Sequence, residues 1–402
     1  MEHGSGLSTI APMPTPPVPA AIDELSMLGP GPLAMRIRKA MVRDGGWWPF
    51  ERFMSAALYT PGLGYYSGAH LPFGRMPRDG SDFVTAPELS PMFGQALAAQ
   101  LQQALQATDT DVVCEFGAGS GALAEQLLQG LGDAVQRYDI VDLSGTLRQR
   151  QAQRLERFGS RVRWLDAWPQ TLEAVVVANE MLDALPVTLL RWDGQQWAER
   201  GVAWDEPQAA FTWQDRTTDR RPPIGGGYPL ANQDKVSDWP ARFMPGTVVE
   251  IHPQAEAFMR TLAQRLLRGA AFFIDYGFPE HEYYHPQRVG GTLMCHRAHR
   301  ADANPLVDVG LKDITAHVNF TGVALAAQEA GLRVLGYTSQ ARFLVNCGLV
   351  ELMAQATLPE RAHAAKLMTE HEMGELFKVL GLAVGAGFEA LGFAVGDRSH
   401  TL

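Results

Sequence analysis

Two acidic side chains, Glu180 and Asp183, stand three residues apart just after a buried apolar run, 174–178. Two carboxylates on one turn can hold a planar cation in a fork of hydrogen bonds and can later take a proton from it. A structural interpretation is also open, because Asn179 or Asp183 can cap a helix and Glu180 suits the positive end of a helix dipole. The two interpretations are compatible, and we predict that Glu180 and Asp183 are catalytic.

Residues 115–121, with the sequence EFGAGSG, form a second candidate site. The apolar run 111–114 before them predicts a strand, and the pattern of 122–128 after them predicts a helix. Glycines in such a turn permit positive φ and let a ligand approach the backbone. The exposed amides and the positive end of the helix dipole favour an anionic group on that ligand.

Two kinds of ligand fit the spacing of this loop. Gly117, Gly119 and Ala122 match the dinucleotide pattern GxGxxG/A. Read from its leading acid, Glu115, the loop matches instead the ExGxGxG pattern of class I S-adenosylmethionine methyltransferases. Glu115 favours the second ligand, since S-adenosylmethionine carries an ammonium and a sulfonium, whereas a carboxylate repels a pyrophosphate. A glycine turn without any ligand is a third interpretation. The loop residues predicted to bind the cofactor are Glu115, Gly117, Gly119 and Gly121.

The alternation of apolar runs and helical patterns continues after this loop. It predicts strands at 138–141, 162–165 and 174–178, with a helix at 146–158. Such a rhythm indicates a mostly parallel sheet with helices on both faces. Asp142 and Asp166 each end a strand, where they are either solvated carboxylates or ligands of an adenosine group. We predict that Asp142 binds the ribose, that Asp166 binds the adenine amino group, and that Asn179 contacts the same cofactor.

Composition and charge limit the function classes. The 402 residues carry 34 basic and 44 acidic side chains, a formal net charge of −10, so nucleic acid is not a predicted partner. The three cysteines are far apart and predict neither disulfides nor a structural zinc. No apolar run reaches the ~20 residues that span a bilayer. Residues 1–20 resemble neither a signal nor a transit peptide, so we expect a cytoplasmic protein.

Histidines raise the question of a metal site. Four histidines and a cysteine lie close together in the sequence, at His281, His285, Cys295, His296 and His299. Their spacing has no helical context, and we predict no metal. His317, with Asp313 four residues before it, is a better candidate for a catalytic histidine, although a buried structural histidine fits equally well.

The chain divides into five predicted segments. These are a disordered lead-in (1–30), an N-terminal helical segment with a lid at 59–88 (31–110), the cofactor-binding half of the main domain (111–186), an inserted antiparallel and loop-rich lobe (187–246) and the rest of the main domain (247–402). Asp193-Gly194 indicates a hairpin in the insertion. Strands at 247–251 and 390–395 are predicted to resume and to close the main sheet.

Six segments together resemble one family, the MidA-type methyltransferases of bacteria and mitochondria. They are ALYTPGLGYYS (57–67), GSDFVTAPELSPMFG (80–94), EFGAGSG (115–121), ANEMLDALPV (178–187), FFIDYGFPEHEYYHPQRVGGTLMCHRAHR (272–300) and DITAHVNF (313–320). The chain departs from the family pattern at Asn319, where an aspartate is expected, and at Val309, where a proline is expected. Asn319 weakens any case for a catalytic carboxylate at that position.

The resemblance implies a class I methyltransferase fold, Rossmann-like, with an inserted α+β lobe and S-adenosylmethionine as cofactor. It also implies a protein substrate that presents an arginine, such as a subunit of respiratory complex I, since the mitochondrial member assists assembly of that complex. Glu180, Asp183 and His317 are then the predicted catalytic residues. A homodimer is left open. Two alternatives remain at this stage: an oxidoreductase that binds a dinucleotide, and a non-catalytic assembly factor that retains the fold.

Overall fold

The computed structural model describes residues 30–68, 82, 84–223 and 243–402. Its strands are β1 (Trp47–Pro49), β2 (Val112–Phe116), β3 (Arg137–Val141), β4 (Val162–Leu165), β5 (Leu172–Asn179), β6 (Thr188–Trp192), β7 (Trp197–Asp205), β8 (Ala210–Thr217), β9 (Val248–Ile251), β10 (Leu266–Phe278), β11 (Met294–Arg297), β12 (Arg300–Asp302), β13 (Asp313–Thr315), β14 (Val318–Asn319), β15 (Arg333–Ser339) and β16 (Phe377–Ala383). Its α-helices are α1 (Pro32–Arg43), α2 (Phe50–Tyr59), α3 (Ala86–Leu89), α4 (Met92–Thr108), α5 (Ala122–Leu131), α6 (Gly145–Leu155), α7 (Pro253–Arg265), α8 (Glu280–Tyr283), α9 (Phe320–Glu329), α10 (Gln340–Asn346), α11 (Leu349–Gln355) and α12 (Leu358–Lys366).

The main sheet has eight strands in the order β15-β16-β10-β5-β2-β3-β4, with β14 added beside β10. Strands β10, β5, β2, β3 and β4 are parallel, whereas β16 runs antiparallel between β10 and β15. The chain leaves β2 for β3 on one side and later returns to β5 on the other. The carboxyl end of β2 is therefore a topological switch point, the place where open α/β sheets bind ligands.

Both faces of the main sheet are buried under helices. Alternate residues of β5 show this, since Val175 and Val177 pack with α4 and α5, whereas Val176 and Ala178 pack with α7 and α9. The continuous apolar runs in the central strands follow from burial on two sides. This arrangement confirms the predicted class of fold, a mostly parallel sheet with helices on both faces.

A second, antiparallel sheet of five strands forms the lobe that follows β5. Its order is β1-β7-β6-β9, with β8 paired to β7. The predicted hairpin is present, and Trp192 pairs with Trp197 across a loop that contains Asp193. The N-terminal β1 pairs with β7, so the N-terminal segment and the insertion share one sheet. None of the described helices is long and apolar enough to cross a bilayer.

Two strand predictions differ from the structure, one in the sheet that the strand joins and one in whether a strand forms. The strand at 247–251 does not resume the main sheet, because β9 pairs antiparallel with β6 in the smaller one. The closing strand is β16 and not residues 390–395, of which Leu391–Phe393 form a short 3-10 turn. The reason is packing, because the Phe393 ring lies directly against Gly336 and Gly381 of the sheet. A Cβ added to Gly336 would be 2.1 Å from the nearest ring atom, and one added to Gly381 would be 2.6 Å from the nearest ring atom. An apolar pattern alone cannot separate a ring packed on a sheet from a strand within it.

Candidate active site

A cavity of about 690 Å³ opens at the carboxyl ends of β2, β3 and β5. That volume lies within the range of small-molecule sites. The inner end of the cavity is the part beside Gly117, Glu180 and Tyr59, and the outer end is the part beside Glu51 and Arg220. Helix α2 runs between the two ends, so the cavity joins the main sheet to the smaller lobe.

The glycine loop forms one wall of the inner end. Gly117, Gly119 and Gly121 have φ values of +69°, +53° and +80°, which side chains rarely adopt. The Gly117 amide donates a 3.0 Å hydrogen bond to the Val141 carbonyl, which fixes the loop against β3. A Cβ on Gly117 would lie 3.1 Å from Cγ of Met181. Gly117 and Gly119 line the cavity, whereas Gly121 packs against Gln151.

Asp142 lines the cavity at the end of β3. Its Oδ1 accepts a 2.9 Å bond from the Ser144 amide, and its Oδ2 accepts a 2.8 Å bond from Nε2 of Gln151. Burial raises the pKa of Asp142, and the two hydrogen bonds oppose that rise. The carboxylate is thus fixed in direction, and each oxygen can accept one further bond. Next to it the Leu143 side chain is 76% exposed and also lines the cavity.

Glu115 and Asp166 do not line the cavity, although the sequence predicts both as cofactor contacts. Glu115 lies under the loop, where its carboxylate accepts a 2.7 Å bond from the Tyr138 hydroxyl and burial raises its pKa to about 8. Asp166 is 95% exposed and pairs with Arg148, while Trp168 reaches the cavity instead. The predicted adenine contact of Asp166 stays a prediction.

Glu180 lines the inner end and has a positive φ of 52°, which is unusual for a glutamate. Its Oε1 accepts bonds from Nδ2 of Asn179 at 3.0 Å and from the Ala86 amide at 3.4 Å. No group in the described part of the chain donates to Oε2. Burial, with Asp183 and Asp313 nearby, raises the pKa of Glu180 to about 8. A strained backbone that holds an uncompensated carboxylate in a cavity is typical of functional sites.

Asp183 is 4% exposed and lies behind the cavity wall. Its Oδ2 accepts a short hydrogen bond from the Tyr276 hydroxyl, whereas its buried Oδ1 has no partner among the described residues. Burial raises its pKa, and the bond from Tyr276 opposes that rise. Asp275 accepts hydrogen bonds from the amides of residues 181–183 and so holds the backbone of this turn. Glu180 and Asp183 therefore face one region from a turn that Asp275 anchors.

Tyrosines form the wall opposite Glu180. Tyr59 and Tyr66 line the cavity with stacked rings 5.8 Å apart. The Tyr59 hydroxyl donates a 2.8 Å bond to the Ala184 carbonyl, and the Tyr66 hydroxyl donates a 2.9 Å bond to Asp313. Burial raises the pKa of Asp313 to about 8. These residues begin the predicted lid, whose positions 69–81 and 83 lie outside the described residues.

His317 is close to the acidic turn but does not line the cavity. Its ring stacks on Phe278 at 5.2 Å and meets Tyr276 edge-on at 5.0 Å. Burial and the charge of Arg288 lower its pKa to about 4, so the ring is neutral at pH 7. Its Nδ1 is buried without a partner in the described structure. His317 therefore contacts Tyr276, which bonds to Asp183, and has no direct contact with the cavity.

The histidine-rich stretch gives no metal site among the described residues, where no three candidate ligands converge. Sequence reasoning missed the anchoring role of Asp275 and the aromatic contacts of Trp168. In the structure Trp168 packs on Phe116 and Phe258, with ring centroids 4.4 and 4.7 Å away, beside the cavity. A signal for Asp275 was present, because it directly follows the apolar run 271–274, and Ile274 pairs with Asn179 at the end of β5.

Comparison with known proteins identifies the family. Residues 96–338, more than half of the 402-residue chain, match the family model Methyltransf_28, which describes S-adenosyl-L-methionine-dependent methyltransferases. The chain belongs to this family. The match confirms the resemblance inferred from the sequence motifs, and it decides between a dinucleotide and S-adenosylmethionine as the cofactor of this chain in favour of S-adenosylmethionine.

Individual proteins agree with this assignment. A Burkholderia thailandensis protein crystallised with S-adenosyl-homocysteine is 48% identical, with a TM-score of 0.85, and the match covers 96% of this chain and 100% of that one. The mitochondrial protein arginine methyltransferase NDUFAF7 homolog of Drosophila melanogaster is 27% identical over 89% of this chain and 86% of its own. Its Xenopus laevis counterpart is 28% identical over 82% and 79%. The fold and the cofactor are thereby confirmed.

The residues at the inner end of this methyltransferase fit the cofactor. The glycine loop would admit its methionine end, and Asp142 would accept hydrogen bonds from its ribose. Asn179 is 9% exposed and keeps a buried Oδ1 without a partner among the described residues, which would suit the ammonium group. When bound, the cofactor supplies an electrophilic methyl group on a positively charged sulfur. The aromatic group of Phe116, Trp168 and Phe258 and the exposed Leu143 would exclude water from the adenosine side.

We propose that Asp142 holds the ribose, and a substitution tests this. Asp142→Ala should weaken the binding of S-adenosylhomocysteine by about 10- to 100-fold, because charge-assisted hydrogen bonds contribute roughly 1.5–3 kcal/mol. Isothermal titration calorimetry measures the loss. Asp166→Ala is the matched comparison, and its exposed carboxylate should matter much less. Unchanged affinity in Asp142→Ala would remove this residue from the cofactor site.

Proposed function

We propose that this methyltransferase methylates an arginine side chain of a protein. The observation that carries the proposal is Glu180, a carboxylate that lines the cavity with one oxygen free of partners among the described residues. Asp183, with its unpartnered buried Oδ1, lies next to it in the same turn. A guanidinium is planar and cationic and offers paired donors, so it can bond to Glu180 while the buried charge of Asp183 adds to the attraction. The names of the Drosophila and Xenopus relatives support the same acceptor.

The chemistry of the transfer needs such acids. The acceptor nitrogen forms a bond to the methyl carbon while the carbon–sulfur bond breaks and its electron pair stays on sulfur. The nitrogen then carries an extra proton, which a carboxylate must accept. Glu180 suits that role, because a group with a pKa near the working pH is an efficient proton acceptor. Asp183, buried behind the cavity wall and bonded to Tyr276, would act through its charge and not by direct contact with the guanidinium.

A finer assignment is part of the same proposal. The sequence resemblance to the MidA-type family supports a subunit of respiratory complex I as the acceptor. The named relatives are mitochondrial proteins, so the cytoplasmic location predicted for this chain stays a prediction, as does a homodimer.

Mass spectrometry tests the acceptor. The protein is incubated with isotopically labelled S-adenosylmethionine and a cell extract, and labelled proteins are digested and sequenced. We expect the label on arginine nitrogen, and an acceptor in which that arginine is replaced by lysine should stay unlabelled, since lysine lacks the two-nitrogen fork. A label on lysine, a carboxylate or a small molecule would contradict the proposal. Tight cofactor binding without any transfer would favour an assembly factor that retains the fold.

A further inference from the structure

The charged groups of the cavity are unevenly distributed along its length. Among the described lining residues the cations are Arg52 and Arg220. Arg220 lies at the outer end, 3.9 Å from Glu51, and Arg52 is paired with Asp44 and covers the Trp48 ring. Both cations therefore form ion pairs with other residues and not with Glu180. The inner end contains carboxylates and tyrosines but no described lining cation.

Helix α2 gives the scale of this separation. Glu51 and Tyr59 are eight residues apart on one face of the helix, which corresponds to about 12 Å along its axis. Tyr59 is fixed at the inner end by its bond to the Ala184 carbonyl, four residues after Glu180. At such a distance the field of Arg220 at Glu180 is weak, and Glu51 is closer to that cation. Glu180 therefore has no intrachain counter-ion among the described lining residues.

The position of Glu180 relative to the glycine loop is also defined. Met181, the next residue, would contact a Cβ on Gly117 at 3.1 Å, so the acidic turn and the loop are directly packed. Asn179 occupies Oε1 and leaves Oε2 for a ligand. The side chains of Asn179 and Asp183 are each at least nine-tenths buried beside Glu180, and their Oδ1 atoms have no partner among the described residues, so they add negative potential at this turn without a compensating donor. A ligand held by the loop must pass close to this turn.

We propose that Glu180 recognises the positive charge on the sulfur of the methyl donor, so that the enzyme binds S-adenosylmethionine more tightly than S-adenosylhomocysteine. The two molecules share their adenosine, ammonium and carboxylate groups and differ in the methyl group and the sulfonium charge. A carboxylate in a partly desolvated cavity distinguishes that charge more strongly than water does. The inference depends on the cofactor and not on the identity of the acceptor.

The same arrangement favours product release. Transfer of the methyl group removes the charge from sulfur, and the proton that the acceptor nitrogen loses neutralises Glu180. The attraction between Glu180 and the sulfur is therefore lost as soon as the methyl group has been transferred. The product is then held by the glycine loop and Asp142 but no longer by the acidic turn.

Calorimetry on the full chain, at a pH above the raised pKa of Glu180 where its carboxylate is charged, tests the proposal with three ligands. These are S-adenosylmethionine, S-adenosylhomocysteine and sinefungin, which carries a protonated amine in place of the methylsulfonium group. We expect the wild type to bind the two cationic ligands about tenfold more tightly than S-adenosylhomocysteine. In Glu180→Gln the affinity for the cationic ligands should be at most about three times that for S-adenosylhomocysteine, because one charge interaction is lost. The affinity for S-adenosylhomocysteine itself should be retained.

Two further variants make the result specific. Glu51→Gln removes the same charge from the outer end of the same cavity and should keep the wild-type ratio. Glu180→Asp keeps the charge, tolerates a positive φ, and should restore most of the preference. Equal affinities in the wild type, an unchanged ratio in Glu180→Gln, or an equal fall of the ratio in Glu51→Gln would each overturn the proposal.

Discussion

Replacing Glu180 by glutamine is expected to lower the rate of methyl transfer by about 10²- to 10⁴-fold, the usual contribution of a general base. The substitution keeps the size of the side chain and its bond to Asn179 but removes the charge and the proton acceptor. Assays at saturating S-adenosylmethionine separate this loss from any change in donor affinity, so the effect should appear in kcat. Glu51→Gln, at the outer end of the cavity, is the matched control and should retain most of the wild-type kcat.

The pH profile gives the same prediction a second readout. The pKa of Glu180 is raised to about 8, so the carboxylate that can accept a proton becomes more abundant as the pH rises. The rate should therefore increase with pH, reach half of its maximum near the pKa of about 8 and level off above it, with a lower midpoint once a bound cation stabilises the charged form. Asp183 and Asp313 face the same region and raise this pKa further. A Glu180→Gln enzyme with full activity and an unaltered pH profile would exclude Glu180 as the base.

Local patterns predicted that several candidate cofactor residues lie at one edge of the sheet. The glycine loop and Asp142 each follow a buried strand and Asn179 ends one, and the parallel order of the strands brings these positions together. Strand position did not distinguish Asp142 from Asp166, because both are acids at strand ends. What separates them is a contact with another element: Gln151 of α6 holds Asp142 toward the cavity, and Arg148 holds Asp166 in solvent.

The acceptor half depends on contacts between distant parts of the chain. The bond from Tyr66 to Asp313 joins residues 247 positions apart, and β1 completes a sheet whose other strands follow β5. Sequence patterns describe periodicity within an element and carry no information on such pairs. Glu180 was identified from its type and position, but its positive φ and free oxygen follow from the turn that Asp275 anchors across 92 to 94 residues.

Substitution of valine for Gly117 is expected to abolish cofactor binding while leaving the fold intact. Gly117 has a φ of +69°, and a left-handed conformation costs a branched residue at least about 1–2 kcal/mol. The added Cβ would lie 3.1 Å from Cγ of Met181, so the side chain must displace the turn that carries Glu180 or extend into the cavity. The first outcome moves the hydrogen-bond acceptors of Glu180 away from the inner end of the cavity, and the second fills the space that the cofactor needs. Affinity for S-adenosylhomocysteine should fall by at least about 100-fold, equivalent to ~2.7 kcal/mol, in calorimetry.

Gly159→Val separates the loss of binding from backbone strain. Gly159 has a similar φ of +56°, but a Cβ there meets nothing within 4 Å and the residue is remote from the cavity lining. Gly159→Val should lose at least as much thermal stability, because a ψ of −134° places Gly159 outside the left-handed helical region, whereas the loss of binding should be confined to Gly117→Val. Gly117→Ala should bind with intermediate affinity, because it adds one methyl group and no branch. If Gly117→Val bound S-adenosylhomocysteine as tightly as Gly159→Val does, the loop would not approach the cofactor, and the inner end of the cavity would have to be assigned to another ligand.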